Sequence, residues 1–384
     1  MAGSRAVRTA AALSEHPLAT HAVGECVGQL LEAGGPTPDL VTVFVTGPQA
    51  GALEDIVTAT RQLLTPRSLM GATAVSVLGG SREVEEVAAL AMFAAWFGGP
   101  AVAPVRLDAV AGPEGPVVRG DGPLAGATGT LLLLADPFSF PVDRFLETLA
   151  EESPDLAVIG GMASAARQPG GNRLVLDGAL HDGGAVGALI DPSVPVTAVV
   201  SQGCRPIGDP LTVTRAERNV VYELAGRPAL ERLLGVVDTL GDHERALAAQ
   251  GLHVGRVIDE HQLDFGRGDF LVRGVLGGDR DAGAVAVGDE VEVGSTLQFQ
   301  VRDADSADED LRELMDGRRA DGALVFTCNG RGSRLFGAPD HDASVISEAL
   351  DGAPVAGMFC AGELGPVGGR NFVHGFTASI ALFG

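Results

Sequence analysis

The chain has 384 residues and a formal net charge of −23 at pH 7, and 46% of its residues are apolar. This length predicts a large core divided between two lobes, and the negative surface disfavours nucleic acid and anionic membranes as partners. All 27 basic residues are arginine, which excludes Schiff-base, P-loop and usual pyridoxal-phosphate chemistry because each needs a lysine.

The N-terminal sequence indicates the cellular compartment, and the cysteine spacing indicates whether disulfides or a zinc site are expected. Residues 1–13 lack the apolar core of a secretory signal, and the apolar stretch 87–97 is too short to cross a bilayer. We therefore expect a soluble cytoplasmic protein. The cysteines are far apart, so neither a disulfide framework nor a zinc site is predicted. They are Cys26, Cys204, Cys328 and Cys360.

The first elements in chain order alternate between helix and strand. Residues 16–33 have apolar positions near helical spacing and precede a Gly-Gly-Pro stop. Residues 39–45 predict a buried strand because they are rich in β-branched side chains. A helix is predicted for residues 53–64, and one strand for residues 68–80.

The order strand, helix, strand occurs three times, at residues 39–80, 129–171 and 322–369. In the third segment the two strands are predicted for residues 322–328 and 355–369. We interpret the three segments as diverged copies of one supersecondary unit, the alternative being chance recurrence of a common α/β arrangement. In each copy the second predicted strand contains a break of small residues. These breaks are residues 71–73, 160–162 and 357–360.

Residues 173–190 carry Gly183 and Gly184 between two apolar runs, which predicts an antiparallel hairpin and hence mixed sheets. The predicted fold class is α/β, with mixed sheets, flanking helices and two lobes. The expected division is an N-terminal helix and lead-in (1–37), an N-terminal domain (38–235) and a C-terminal domain (236–384).

The later part of the chain continues with strands and charged helices. A helix is predicted for residues 242–252 and strands for 196–208, 270–278 and 291–301. Acidic residues crowd segment 303–312, but their spacing fits no EF-hand loop. We interpret this segment as the solvated start of a helix, not as a metal site.

Several motifs together resemble the FIST family of intracellular sensory domains. They are QGCRPIG from Gln202, Arg227-Pro228-Ala229, CNGRG from Cys328, LFG from Leu335, GELGP from Gly362, NFVHGFT from Asn371 and, more weakly, residues 69–86. The resemblance covers residues 38–384. The sequence has Ala72 where the family frequently has cysteine.

This resemblance implies a small-ligand-binding signal-transduction module, with an amino acid or related polar metabolite as ligand and a protein as signalling partner. It implies no established reaction, so no catalytic residue, metal ligand or cofactor is assigned. Family members fused to F-box proteins suggest a protein-interaction scaffold as an alternative.

The candidate ligand-binding residues lie where apolar runs meet turns. Cys328 and Asn329 open a turn whose glycines can form an anion-binding nest of backbone N–H groups, and Arg331 adds a two-pronged donor for a carboxylate. Cys204 and Arg205 repeat this pattern at another strand end.

Further candidates lie near the C-terminus. Glu363, in a turn, can accept a ligand ammonium group, so that with Arg331 it would form a receptor for a zwitterion. Asn371 and His374 flank a strand start, and Thr377 follows two residues after Gly375. The enzymatic alternative is a cysteine-dependent hydrolase or transferase, in which Cys360, His374 and Glu363 act as nucleophile, base and orienting group.

Overall fold

The computed structural model describes residues 6–112, 115–122, 124–262 and 264–384. Residues 1–5 lie outside the described residues. They belong to the predicted lead-in and to the segment 1–13 that was compared with a secretory signal. Mixed sheets with flanking helices confirm the predicted α/β class. Among the helices of the described residues, none has both the length and the apolar character needed to span a membrane.

The α-helices are short and separated by many strands. In chain order they are α1 (Ala19–Gly34), α2 (Leu53–Leu64), α3 (Val142–Glu152), α4 (Ala229–Thr239), α5 (Asp242–Gln250), α6 (Ala304–Met315), α7 (Ser333–Phe336) and α8 (His341–Ala349).

The strands fall in three stretches of the chain. The first stretch holds β1 (Arg8–Ser14), β2 (Leu40–Thr46), β3 (Ser68–Ala74), β4 (Ser76–Gly79), β5 (Arg82–Glu85), β6 (Leu90–Trp96), β7 (Val102–Gly112), β8 (Gly115–Asp121), β9 (Gly129–Ala135), β10 (Leu156–Met162), β11 (Leu174–Leu176), β12 (Ala179–His181) and β13 (Ala185–Ile190). The second holds β14 (Val196–Gln202), β15 (Cys204–Pro206), β16 (Leu211–Glu217), β17 (Val220–Leu224), β18 (Arg227–Pro228), β19 (Leu252–Val257), β20 (Phe270–Asp279), β21 (Ala284–Val287) and β22 (Thr296–Arg302). The third holds β23 (Gly322–Cys328), β24 (Val355–Cys360), β25 (Glu363–Val367), β26 (Arg370–His374) and β27 (Thr377–Phe383).

The chain forms two compact units. The first contains the residues up to Val200 together with Leu311–Val373 and Thr377–Gly384, and the second contains Ser201–Asp310 and the short segment His374–Phe376.

Three copies of one arrangement form the greater part of the first unit, as the repeated pattern predicts. In each copy two parallel strands are joined by a helix: β2–α2–β3, β9–α3–β10 and β23–α8–β24. A later strand, β6, β13 or β27, then pairs antiparallel with the first strand of its own copy. Each copy therefore builds the centre of one sheet.

Each copy also contributes a hairpin to the sheet of another copy. The hairpin β4–β5 joins the third copy by pairing with β24, β11–β12 joins the first by pairing with β3, and β25–β26 joins the second by pairing with β10. The exchange is cyclic, so every sheet is completed by strands from a neighbouring copy.

This exchange corrects two of the predicted strands. The segments 68–80 and 355–369 were each predicted as one strand, but each contains two strands that belong to different sheets: β3 and β4, and β24 and β25. The predicted small-residue breaks, 71–73 and 357–360, lie inside β3 and β24, and the chain leaves one sheet for the next only after them, at Val75 and at residues 361–362. Both halves are apolar, so hydrophobic pattern alone could not separate them.

The predicted hairpin at Gly183–Gly184 is wrong. The hairpin is β11–β12, and it turns at Asp177 and Gly178, which have φ of 46° and 96°. Positive φ at both central residues is the geometry that an Asp-Gly turn favours. Gly183 and Gly184 instead precede β13, which lies in another sheet beside β9 and β7.

Two further strand predictions need correction. Segment 196–208 contains β14 and β15, which belong to different sheets, and segment 291–301 forms a strand only from Thr296.

A central core joins the three copies. It includes Phe44, Phe93, Phe326 and Phe383, whose rings contact one another in pairs with centroids 5.4–6.1 Å apart. The opposite face of each sheet is covered by helices over a core of its own. The strands are therefore buried on both faces, which explains why they read as continuous apolar runs.

One glycine per copy lets the two parallel strands approach. A Cβ added to Gly71, Gly160 or Gly357 would lie 1.9–2.3 Å from a carbonyl oxygen of the first strand. These three glycines face Val43, Leu133 and Val325 in register. The recurrent glycine is thus an architectural feature of the copy.

The second unit contains a closed antiparallel barrel. Its strands follow the order β22, β16, β17, β21, β20 and β19, and β19 pairs again with β22. Apolar side chains from these strands fill the interior. The short strands β15 and β18 pair with β22 and β17.

Candidate functional site

The carboxyl ends of β23 and β24, in the third copy, hold most of the charged residues predicted from the sequence. Cys328 ends β23 and Cys360 ends β24, and the two face each other in register. Glu363 begins β25 three residues after Cys360. The carboxyl end of parallel strands is where open α/β sheets usually bind ligands.

Arg331 is completely buried and forms an ion pair with Asp342. Its Nε and Nη2 donate to the two carboxylate oxygens at 2.7 and 2.8 Å, and the Thr327 hydroxyl donates to the same carboxylate at 2.7 Å. Burial raises the pKa of Asp342, but the Arg331 charge and these hydrogen bonds hold it well below its usual value. The pair of guanidinium nitrogens that was expected to bind a ligand carboxylate therefore binds Asp342 instead.

One guanidinium nitrogen of Arg331 remains: Nη1 is buried and makes no hydrogen bond to any residue that the structure describes. The Phe336 ring lies against the guanidinium, with its centroid 5.2 Å from Cζ. Since a buried N–H group without an acceptor costs about 1–3 kcal/mol, this nitrogen is a candidate contact for a ligand.

Glu363 is also completely buried. Its Oε2 accepts hydrogen bonds from the Thr377 backbone N–H at 3.2 Å and from the Thr377 hydroxyl at 2.9 Å. Its Oε1 has no hydrogen-bond partner within the described part of the chain. Burial raises the pKa of Glu363 to about 8, although Thr377, the Arg331 charge and the Cys328 side chain lower it.

The structure thus brings together Cys328, Arg331, Glu363 and Thr377. The mutual electrostatic effects of Arg331, Glu363 and Cys328 show that these groups lie within reach of one another. Together they offer one N–H donor and one carboxyl oxygen to a ligand.

Cys360 is unsuited to act as a nucleophile. It is completely buried, its thiol donates to the Met358 carbonyl, and burial raises its pKa well above the usual value. A Cβ on Gly161 would lie 2.3 Å from its Sγ, so close packing surrounds the sulfur. The thiolate that cysteine catalysis needs is therefore disfavoured.

The predicted anion-binding nest does not form. The backbone N–H of Asn329 donates to the Cys360 carbonyl, that of Gly330 to the Cys328 sulfur and that of Arg331 to the Cys328 carbonyl. Only Gly332 of the two turn glycines has positive φ, at 70°. These N–H groups hold the turn itself and so cannot cradle an anion.

Asn371 supports β10. Its Oδ1 accepts from the Val158 N–H and its Nδ2 donates to the Leu156 carbonyl, both at 2.8 Å. The side-chain amide therefore acts like a further backbone partner of the strand.

Three predicted residues, Cys204, Arg205 and His374, belong to the second unit. Arg205 donates to Asp303 at 2.8 Å and to Glu244 at 2.9 Å, an ion-pair network that engages both prongs of its guanidinium. Cys204 packs in a small apolar cluster with Phe270, and His374 is buried.

Two acidic residues of the site were not predicted. Asp342 lies in the first turn of α8, where acidic residues are common for helix stability alone. Glu83 comes from the hairpin β4–β5, and its pKa is raised to about 7, first by burial and then by the charge of Asp342. Its Oε2 finds no partner among the residues described. Glu83 could have been assigned to this site only if the pairing of hairpin β4–β5 with the third copy had been predicted.

Comparison with known proteins decides the family. Residues 39–227 match the FIST N domain and residues 229–366 match the FIST C domain. The chain belongs to the FIST family. FIST domains are sensory, ligand-binding modules, and Arg331, Asp342 and Glu363 all lie within the FIST C match.

FIST relatives of high similarity occur in mycobacteria. Uncharacterised proteins of Mycobacterium bovis and Mycobacterium tuberculosis are each 42% identical over 374 residues, covering 96% of this chain and 96% of theirs. Another uncharacterised Mycobacterium tuberculosis protein is 43% identical over 358 residues, covering 92% of this chain and 93% of its own. The similarity therefore extends over both FIST domains.

Proposed function

We propose that this FIST protein is a cytoplasmic sensor that binds an amino acid or a related polar metabolite at the ends of β23 and β24 and transmits the bound state to a protein partner. One observation carries the proposal. Arg331 Nη1 and Glu363 Oε1 are buried polar atoms of two groups within electrostatic reach of each other. Neither atom has a hydrogen-bond partner among the described residues, although the Cys328 side chain does hydrogen-bond to the Glu363 carboxyl group.

The two atoms match the two ends of a zwitterion. Arg331 Nη1 donates to the ligand carboxylate, while Glu363 Oε1 accepts from the ligand ammonium group. Asp342 keeps the guanidinium in place and Thr377 keeps the carboxyl group in place. Such positioning lowers the entropy lost on binding.

A thermal-shift screen against amino acids and their derivatives tests the proposal. A ligand at 100 times its Kd stabilises the folded state by about 2.7 kcal/mol, so a specific ligand raises the Tm of the wild-type protein. Glu363→Gln keeps the shape of the side chain but removes its charge, and should abolish the shift. Glu348→Gln, the same change at an exposed position of α8, should leave it unchanged.

The pH dependence of binding tests the role of Glu363. Because its pKa of about 8 leaves the carboxyl group mostly protonated at pH 7, a ligand ammonium group must displace that proton. The affinity should therefore rise by up to about tenfold per pH unit towards pH 8. A screen in which no metabolite raises the Tm would contradict ligand binding, and an affinity that falls as pH rises would contradict the ammonium contact.

A further inference from the structure

A second buried polar cluster lies in the other unit and shares no residue with the proposed amino-acid site. It contains Nδ1 of His253, Oε1 of Gln300 and Oε1 of Gln202, and none of these atoms has a hydrogen-bond partner in the described parts of the chain. The three residues are 6%, 1% and 3% exposed. Each such acceptor, if buried without a donor, costs about 1–3 kcal/mol.

The barrel strands bring His253 and Gln300 together, and Gln202, the last residue of β14, reaches them through a hydrogen bond to neighbouring Phe270. His253 on β19 and Gln300 on β22 are direct cross-strand partners, so they share one face of the sheet. A Cβ on Gly255 would lie 2.3 Å from Gln300 Nε2 and 2.9 Å from the Phe270 Cβ. The Gln300 amide therefore lies over Gly255 beside Phe270, whose carbonyl accepts a hydrogen bond from Gln202 Nε2 at 2.9 Å.

This patch is on the outer face of the barrel wall. The neighbouring residues Val254, Phe299 and Val301 pack in the barrel interior. Because side chains alternate along a strand, His253 and Gln300 point to the opposite face.

His253 presents a lone pair at neutral pH. Burial and then the charge of Arg302 lower its pKa to about 4, while a hydrogen bond to the Gly251 backbone raises it. Nδ1 has no hydrogen-bond partner among the described residues, so we assign the single proton of the neutral ring to Nε2. Nδ1 is then the acceptor of the neutral ring.

Phe376 lies against this imidazole. The two ring centroids are 4.3 Å apart at an interplanar angle of 79°. Phe376 has a φ of 65°, an unusual value for a bulky residue, and such strain costs on the order of 1–3 kcal/mol. The segment His374–Phe376 belongs to the second unit although the chain on both sides belongs to the first.

We propose that His253, Gln300 and Gln202 bind a small uncharged ligand that presents two hydrogen-bond donors, such as a primary carboxamide, beside the Phe376 ring. All three protein atoms are acceptors, so the ligand must donate. A cationic donor is disfavoured because the site is buried and Arg302 is positively charged and close enough to perturb His253.

Acetamide and N,N-dimethylacetamide are suitable probes because only the first has N–H donors. The readout is the Nδ1 resonance of His253 in histidine-labelled protein, identified by its loss in His253→Phe. Acetamide, titrated into the millimolar range, should shift this resonance, whereas N,N-dimethylacetamide should not.

Variants in β22 provide the matched comparison. Gln300→Met retains length but removes the acceptor, and should weaken acetamide binding by about tenfold, the equivalent of about 1.4 kcal/mol. Gln298→Met, two residues earlier on β22, should bind acetamide like the wild type.

Three results would overturn the proposal. Equal shifts with both amides would show that no donor is recognised, and an unchanged spectrum would show that acetamide does not bind beside His253. A response of His253 to Zn²⁺ but not to acetamide would identify a metal site. These results are independent of Glu363 and of the amino-acid screen.

Discussion

Arg331 and Asp342 form a completely buried ion pair in which each charge depends on the other. Two hydrogen bonds join the two side chains. The Asp342 carboxylate accepts further hydrogen bonds from Thr327 and His341. A buried ion pair does not necessarily stabilise the fold more than two apolar residues of the same volume. Loss of one partner, however, leaves an uncompensated buried charge, which is strongly destabilising. The ion pair therefore makes the candidate site a part of the folded core.

The substitution Arg331→Ala should destabilise the protein by about 3–5 kcal/mol, because it leaves Asp342 charged, buried and without its partner. Arg334→Ala is the control: this exposed residue pairs with exposed Glu86, and such pairs contribute about 0–1 kcal/mol. Urea unfolding of both variants measures the difference. Equal midpoints for the two variants would contradict the importance of the buried pair.

The pKa of Glu363 predicts how stability depends on pH. A carboxyl group whose pKa rises from 4.5 to about 8 on folding binds more protons when folded, so its contribution is present below pH 4.5 and is lost as pH rises through 8. Between pH 5 and 8 the wild type should therefore lose up to about 1.4 kcal/mol per pH unit relative to Glu363→Gln. Chemical denaturation at several pH values measures this, and parallel pH profiles would show that the Glu363 pKa is not raised.

At the residue scale the sequence paired Arg331 with Glu363, because both lie at strand ends of one predicted copy. Cys328 and Thr377 were candidates as well, and the structure places them at the same site. The sequence could not identify Asp342 as the partner of Arg331, because that contact depends on how α8 packs. Asn371 was chosen for its polarity alone, and only the structure shows that its amide bonds to the backbone of β10.

The parallel strand pair of each copy is the element that recurs most closely. In all three copies a glycine of the second strand lies against a carbonyl oxygen of the first. Gly71 and Gly357 have φ outside the left-handed region, so close approach and not backbone conformation requires glycine there. The cost of a side chain should therefore be steric.

Gly357→Ala should destabilise the protein by roughly 1–3 kcal/mol, the usual cost of overpacking, because the new methyl group would lie 2.0 Å from the Val325 carbonyl oxygen. Gly24→Ala in α1 is the matched control. Apart from its chain neighbours and the backbone of α1, no described atom lies within 4 Å of the new methyl group there. Alanine should therefore stabilise the helix by about 0.5–1 kcal/mol. If both variants had a higher Tm than the wild type in thermal unfolding, the close approach of the strands would not explain why residue 357 is glycine.

Helix and strand types were predicted well where the pattern is long. The strand Gly322–Cys328 and the helix Leu53–Leu64 have the predicted bounds. The hairpin at Asp177–Gly178 was missed because its strands have only three residues each, too few to show alternation. The breaks predicted from small residues, 71–73 and 357–360, fall within β3 and β24, whereas the chain changes sheets a few residues later. Sequence alone does not show that a chain changes sheets.

On the scale of the whole molecule, the first unit is joined by the cyclic exchange of hairpins. The core between its sheets includes residues of all three copies, and each sheet needs strands from two copies. The barrel of the second unit is inserted between the second and third copies in the chain. Three copies could be recognised from the sequence, whereas their mutual dependence is a property of the assembled fold.

The exchange has a consequence for synthesis on the ribosome. The strand β10 ends at Met162, but its neighbour β25 begins at Glu363, so about 200 residues must be made in between, which takes roughly 10–40 s at 5–20 residues per second. The hairpin β4–β5 waits longer still for β24. Until then the nascent chain carries unpaired apolar strand edges, which are the usual starting points of aggregation. A truncated translation product that ends before β23 should therefore depend on chaperones to stay in solution.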